Sequence, residues 1–431
     1  MKSLVIPPSK TLQGRLIPPG DKSISHRAVM FGALAEGNSS FSHFLEAEDC
    51  LHTMQAFQAM GVLMDYEKGK GKITIHGVGL QGLKRPSAEI NLGNSGTSMR
   101  LLLGILAGQK LEVVLSGDPS LSKRPMKRVT QPLKKMGAQI KGSADANFSP
   151  LTIRGGNLRA IEYDNVLASA QVKSAILLAG LQAEGTTRVI EKLPSRDHTE
   201  RFLYACGAEF KKEGNVLHIE KTERLKAVSG EIPGDMSAAA FFIVGAAMAP
   251  GSSLEVENVC LNPTRTGFLN VLKRMGAFLE IHMTQELPEP MGTIRVEGRR
   301  LNGTRVAPEE IPSLIDELPI LMIAMALAEG ESLVSGAQEL RVKESDRIQS
   351  MVQNLKAVGA NAEELADGCL IRGVSHFQGS RIQTHWDHRT AMSFSIASLM
   401  TQGDMIIDDV TCVATSFPSF FEEFERLKKN R

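Results

Sequence analysis

Cysteine is scarce and scattered in these 431 residues: Cys50, Cys206, Cys260, Cys369 and Cys412 are odd in number, and none stands in a Cys-x-x-Cys spacing. Neither a disulfide framework nor a zinc site is indicated, and a reducing cytoplasm is expected. Aromatic platforms are equally thin, with one Trp and three Tyr, and the formal net charge is only +1. Such a chain offers neither the field nor the stacking surface for nucleic acid. The longest apolar runs, AAAFFIVGAAMA and LPILMIAMALA, fall short of the ~20 residues that cross a bilayer. Pro7 and Pro8 interrupt MKSLVIPPSK before a signal-peptide core can form, so neither leader nor membrane partner is expected. No residues take metal-ligand spacing, and no Walker-type lysine follows the glycines of LGNSGTS. Magnesium-dependent phosphoryl transfer is thereby disfavoured, and no cofactor or metal is expected.

What the chain does contain is a hidden sixfold repeat of about 72 residues. Six apolar helical stretches, from SHRAVMFGALAEG to RTAMSFSIASLMTQG, each run into a glycine: Gly37, Gly108, Gly185, Gly251, Gly330 and Gly403. Between them a second, amphipathic helix closes five times on MGV, MGA, CGA, MGA or VGA, and a hairpin with period-two alternation follows, as in ITIHG, LTIRGG and IRVEG. The first helix of each unit is apolar nearly all round and must be buried, whereas the hairpin strands alternate apolar with polar residues and face water on one side. The expected fold is therefore a two-domain inside-out α/β barrel of six βαβαββ-type repeats, three per domain, with helices inside and sheets outside. The sixth unit ends at FPSFFEEFERL without a hairpin. Residues 1–20 are expected to supply its missing strands.

That closure makes one domain discontinuous. IPPGDKS at 17–23 and EIPGDMS at 231–237 share Pro, Gly, Asp and Ser in register just before an apolar helix. They read as paired hinge strands, or else as two unrelated Pro-Gly turns. The expected domains are 1–20 plus 233–431, and an inserted 21–232, with hinges at 20–21 and 232–235 that draw the two together on binding.

Helix N-termini present unpaired N–H groups and a partial positive charge that suit anions. GDKSISHR places Lys22, Ser23 and Arg27 at the first such end; LGNSGTSMR places Asn94 and Gly96 at the second, its glycines admitting close backbone approach. Arg124 lies among the cations of SKRPMKR; Ser169 and Gln171 open the third apolar helix, and Arg196 stands in SRDHTER. His198 and Glu200 in that segment read as a charged helix start. Acidic groups enter in the other domain: Asp316 and Glu317 in PSLIDELP, and Glu344 beside Lys343 and Arg347 in LRVKESDR, with Asp387-His388-Arg389 closing the set. Cations gathered around two isolated carboxylates imply polyanionic substrates with acid–base chemistry between them. Any one segment read alone is an ordinary capped helix or a surface ion pair.

Taken in order, GDKSISHR, LGNSGTSMR, SKRPMKR, SAQVKSAILLAGL, SRDHTER, GDMSAAAF, NPTRTG, DELPIL, LRVKESDR, DHRTAMS and ATSFPSF resemble the 5-enolpyruvylshikimate-3-phosphate synthase family across essentially the whole chain. The resemblance implies transfer of the enolpyruvyl group of phosphoenolpyruvate to the 5-hydroxyl of shikimate 3-phosphate, with release of phosphate. It also implies that Lys22, Ser23, Arg27, Ser169, Gln171, Arg196, Asp316 and Lys343 hold shikimate 3-phosphate. Lys22, Asn94, Gly96, Arg124, Gln171, Arg347 and Arg389 hold phosphoenolpyruvate on the same ground. Asp316 is the implied base for the hydroxyl, Glu344 the acid for the methylene carbon, and Lys22 a stabiliser of departing phosphate. A monomer is expected.

Two departures stand out: Thr415 occupies a position where some members carry lysine, and Ala170 follows Ser169 where others have a second serine. Gly96, lacking the methyl that narrows the phosphoenolpyruvate pocket, leads us to expect sensitivity to glyphosate. Two other readings remain. A sister enolpyruvyl transferase acts on UDP-N-acetylglucosamine, but it generally carries a reactive Cys or Asp where SGDPSLSKRPMKR has only Asp118. A repeat-built binding protein would keep the cations without needing Asp316 and Glu344.

Overall fold

The computed structural model describes residues 2–166, 168–286 and 288–429. The chain divides into two compact units, one of residues up to Pro19 together with those from Pro233 onward, the other Gly20–Ile232. The fold is mixed α/β.

In the inserted unit three sheets share one order. Ile90–Asn91 runs parallel to Glu112–Ser116, which pairs antiparallel with Phe148–Arg154, itself antiparallel to Gln139–Gly142. Glu162–Asp164, Thr187–Ile190, Val216–Ile219 and Phe210–Glu213 repeat that sequence of pairings. In the remaining sheet Leu225–Lys226 and Gly230–Glu231 supply the parallel edge for Ala35–Ser42, followed by Lys72–Val78 and Leu63–Glu67.

The discontinuous unit holds the same order twice in full: Thr11–Leu16, Ser253–Cys260, Met291–Glu297, Phe278–Gln285, and then Arg305–Val306, Glu331–Val334, Gly368–Arg372, Asn361–Leu365. Its third sheet is shorter, with Phe377–Ile382 parallel to Thr401–Ile407 and Leu4–Ile6 antiparallel to it. The first twenty residues therefore divide their service. Leu4–Ile6 completes the last unit as expected, but Thr11–Leu16 joins the fourth, beside Ser253–Cys260. Pro7 and Pro8 explain the split: each lacks an N–H and fixes φ, so the first strand ends there and the chain leaves that sheet.

Helices carry the core. Every residue of Met236–Met248 is buried, as is every residue of Leu318–Ala326, and eleven of the twelve in Gly96–Ala107. An all-apolar helix has no face to offer water, and each Leu, Ile or Phe that it buries stabilises by about 1.5–3 kcal/mol. The last helix, Phe420–Leu427, is anchored by aromatic contact, Phe420 lying 5.3 Å from Phe242 and 5.7 Å from Phe417.

The shared Gly-Asp-x-Ser junctions have a local cause. Asp21 caps the helix Lys22–Leu34 by accepting from the Ile24 amide at 2.9 Å, and Asp235 caps Met236–Met248 by accepting from Ser237 and Ala238 at 2.7 and 3.1 Å. The glycines of the five small signatures, Gly61, Gly137, Gly207, Gly276 and Gly359, all lie at φ between 70° and 116°. A left-handed residue stops each amphipathic helix and turns the chain into its hairpin.

Candidate active site

In the inserted unit, three helix starts carry the expected donors. Lys22 begins Lys22–Leu34, and its ammonium lies 3.2 Å from Asp49 Oδ2 on the helix Glu48–Ala59. Arg27, one turn on, donates to the Ser23 carbonyl at 2.8 Å, to Thr199 Oγ1 at 2.8 Å and to Ser174 Oγ at 3.0 Å. Its guanidinium is thus held in one orientation before any ligand arrives. His26 is fully buried between these cations. Burial first, and then Lys22 and Arg27, push its pKa well below the usual histidine value. A neutral imidazole is thereby fixed against Thr53 Oγ1 at 2.7 Å.

The second start is capped by Ser95, which accepts from the Ser98 amide. Asn94 bridges Asp118 and Arg124: its Nδ2 donates to Asp118 Oδ2 at 2.9 Å, and its Oδ1 accepts from Arg124 Nη2 at 2.5 Å. Around Gly96 the space is bounded by cations, for a Cβ built there would meet Arg100 Nη1 at 3.0 Å and Arg124 Nη1 at 3.2 Å. Gln171, from the third start, accepts from Arg100 at 2.6 Å and donates to Thr97 Oγ1 at 3.0 Å. Gln171 is thus tied to Arg100 and Asn94 to Arg124, with Gly96 beside both guanidinium groups. Arg100 was not among the expected residues, although its place four positions after Gly96 puts both on one helix face. Ser169 caps Ala170–Gly180 and Arg196 is half-buried just before the helix His198–Ala205.

In the discontinuous unit the carboxylates are not isolated. Arg347, 1% exposed, places Nη2 2.5 Å from Glu344 Oε2, Nη1 3.4 Å from Asp316 Oδ1 and Nε 2.8 Å from Asp387 Oδ2. Arg389 adds a second cation, with Nη2 3.7 Å from Asp316 Oδ2 and Nη1 donating to the Asp316 carbonyl at 2.9 Å. Burial alone would lower the Arg347 pKa, but Asp387, Glu344 and Asp316 overcome it and hold the guanidinium charged. Burial likewise pushes the Asp387 carboxyl up, and Arg347 more than reverses it, leaving the group below the usual carboxylate range. Asp387 also caps His388–Ala397 by accepting from the Arg389 amide at 2.9 Å. It is the fixed anchor, whereas Asp316 and Glu344 are half-buried and open to chemistry. Lys343, half-buried, follows the turn Gln338–Val342 directly before Glu344. Thr415 donates to the Cys412 carbonyl at 2.8 Å and brings no charge.

His198 and Glu200 do open the helix His198–Ala205 as expected, but Glu200 is buried 2.6 Å from the ammonium of Lys173, and His198 is fully buried beside it. Lys173 sits inside the apolar run QVKSAILLAG, where its partners, distant in sequence, are invisible to periodicity. Among the described residues no cluster of three or more His, Cys, Asp or Glu is placed to hold a metal ion. No helix there is long and apolar enough to cross a membrane.

A family model described as EPSP synthase (3-phosphoshikimate 1-carboxyvinyltransferase) matches residues 6–424. A 3-phosphoshikimate 1-carboxyvinyltransferase of Nitrosococcus oceani is 51% identical over 422 residues, covering 97% of this chain and 94% of that protein. Another, from Bacillus thuringiensis, is 47% identical over 431 residues and covers 100% of both. The solved EPSP synthase of Acinetobacter baumannii matches with a TM-score of 0.87 at 48% identity, over 99% of this chain and 98% of that one. The enolpyruvyl transferase NikO of Streptomyces tendae, with a TM-score of 0.78 over 99% of this chain and 97% of that one but 16% identity, shares the fold alone. A match of this extent, on a chain whose helix starts gather cations in one unit and arginine-held carboxylates in the other, leaves no doubt of kinship: the chain belongs to the EPSP synthase family, the 3-phosphoshikimate 1-carboxyvinyltransferases.

Proposed function

We propose that this chain carries out its family's reaction with the groups described above. The chain is an enolpyruvyl transferase: it moves the enolpyruvyl group of phosphoenolpyruvate to the 5-hydroxyl of shikimate 3-phosphate and releases phosphate. Shikimate 3-phosphate is held by Lys22, Ser23, Arg27, Ser169, Gln171, Arg196, Asp316 and Lys343. Phosphoenolpyruvate meets Lys22, Asn94, Gly96, Arg124, Gln171, Arg347 and Arg389, where planar guanidinium groups suit its carboxylate and phosphate.

The chemistry runs as addition and elimination. Asp316 takes the proton of the 5-hydroxyl as its oxygen bonds to C2 of phosphoenolpyruvate, and Glu344 gives a proton to C3, turning methylene into methyl. In the second step Glu344 takes a proton back from that methyl, the C2–C3 double bond re-forms, and the C2–O bond to phosphate breaks. Lys22 and the arginines stabilise the departing anion. The observation that carries this reading is the grip of Arg347 on both Glu344 and Asp316. An incoming anion competes with both carboxylates for Arg347, and once released from that ion pair Glu344 is placed to act as the acid.

The fold that supports this is an inside-out α/β barrel of six βαβαββ repeats, three per unit. Its support is the recurrence of one strand order through the sheets and the burial of the helices between them. A monomer in the cytoplasm belongs to the same reading, and five buried cysteines suit a reducing compartment. Phosphate release from phosphoenolpyruvate tests the function directly. We expect it with shikimate 3-phosphate and not with UDP-N-acetylglucosamine; release with the nucleotide sugar alone would assign the chain to the sister activity.

A further inference from the structure

Lys173 has no exposed surface at all, yet it carries a charge into the core of the inserted unit. Its ammonium lies 3.0 Å from Glu191 Oε2 and 2.6 Å from Glu200 Oε1, and it donates to the Ser195 carbonyl at 3.3 Å. Both carboxylates are buried in turn. Burial pushes the Glu200 pKa up against the opposing pull of Lys173. Taking such ions out of water costs several kcal/mol each, and well-packed apolar side chains of similar volume commonly stabilise a core as well or better. Stability is therefore a poor reason for this cluster.

Its connections suggest another. Glu191 Oε1 accepts from Ser195 Oγ at 2.5 Å and from Asn165 Nδ2 at 3.2 Å. Asn165 in turn holds the main chain of Ser169 on both sides: its Oδ1 accepts from the Ser169 amide at 3.1 Å and its Nδ2 donates to the Ser169 carbonyl at 3.4 Å. Ala168, next to it, is kept at φ 47°, a left-handed conformation that a side chain disfavours and that the surroundings must enforce. Two short routes thus leave one ammonium. One ends on the backbone of Ser169, and the other on the carbonyl of Ser195, one peptide before Arg196. A third group shares the same neighbourhood, since Ser174 and Thr199, adjacent in sequence to Lys173 and Glu200, are the two hydroxyls that latch Arg27.

We propose that Lys173, acting through Glu191 and Asn165, is a positioning residue for the phosphorylated acceptor: it sets the backbone of Ser169 and of Ser195–Arg196 at the spacing that grips shikimate 3-phosphate. The inference rests on the reading that Ser169 and Arg196 hold that substrate. The groups around Gly96 are reached from this helix through Gln171, whereas the routes that leave Lys173 end on Ser169 and Ser195.

The test is calorimetric titration of shikimate 3-phosphate into the wild-type chain, Lys173→Met and Asn165→Ala, alongside the KM for phosphoenolpyruvate at saturating acceptor. Lys173→Met leaves two carboxylates facing each other and risks misfolding; Asn165→Ala keeps Lys173, Glu191 and Glu200 and removes the amide that joins Glu191 to Ser169. Both variants are expected to bind shikimate 3-phosphate about tenfold or more weakly, with the phosphoenolpyruvate KM shifting less than about threefold. If Asn165→Ala binds the acceptor as the wild type does and merely melts earlier, the cluster is structural and the inference is overturned. A parallel loss for both substrates overturns it too. A wild-type chain that fails to bind shikimate 3-phosphate overturns instead the underlying assignment of Ser169 and Arg196, and this inference with it.

Discussion

At Gly96 the missing methyl has a measurable consequence. A Cβ there would stand 3.0 Å from Arg100 Nη1 and 3.2 Å from Arg124 Nη1, in the space proposed to receive phosphoenolpyruvate. The wild-type chain should therefore be inhibited by glyphosate, competitively with phosphoenolpyruvate and well below millimolar concentrations. Gly96→Ala should weaken that inhibition about tenfold or more, equivalent to ~1.4 kcal/mol. A millimolar inhibition constant for the wild type would show that open space at Gly96 does not admit the inhibitor. Single residues were legible in the sequence where a motif repeats a local rule, as with Asp21 and Asp235, each capping the helix it precedes. They were not legible where the partner comes from far along the chain. Lys173 meets Glu191 and Glu200 only after folding, so Glu200 read as an ordinary charged helix start.

Between elements, a glycine permits the close approach of Gly96–Ala107 to Ala170–Gly180. A Cβ on Gly104 would fall 2.2 Å from the Ala175 carbonyl oxygen and 2.7 Å from its Cα. Two effects compete at this position. Alanine improves helix propensity by about 1 kcal/mol, but the clash is with backbone, which cannot rotate away, and overpacking of this kind costs about 1–3 kcal/mol. Gly104→Ala should lower the urea midpoint of unfolding; a raised midpoint would mean that the helices part without penalty. Each of the five hairpins was legible because alternation of apolar and polar residues follows a glycine that the structure holds left-handed, as at Gly61 and Gly137. The pairing of Thr11–Leu16 with Ser253–Cys260 was not, because a strand's partner across more than two hundred residues leaves no mark on its own pattern.

Across the whole molecule, the groups proposed for one reaction are spread from Lys22 to Arg389, and corresponding helix starts recur along the chain. That recurrence made the kind of substrate readable before any coordinates: several donor-rich helix tips with few carboxylates suit small polyanions. It could not show that Asp316, Glu344 and Asp387 share Arg347, nor that Asp387 is the most buried of the three. The claim at the centre is that Glu344 first gives and then removes a proton at the methylene carbon. Turnover in deuterium oxide, with mass analysis of the product, tests it most directly. A methyl intermediate must leave deuterium in the vinyl group of the product, and Glu344→Gln should lower turnover by ~10²-fold or more while shikimate 3-phosphate still binds. Product free of deuterium, or a Glu344→Gln variant of near-normal turnover, would contradict the account.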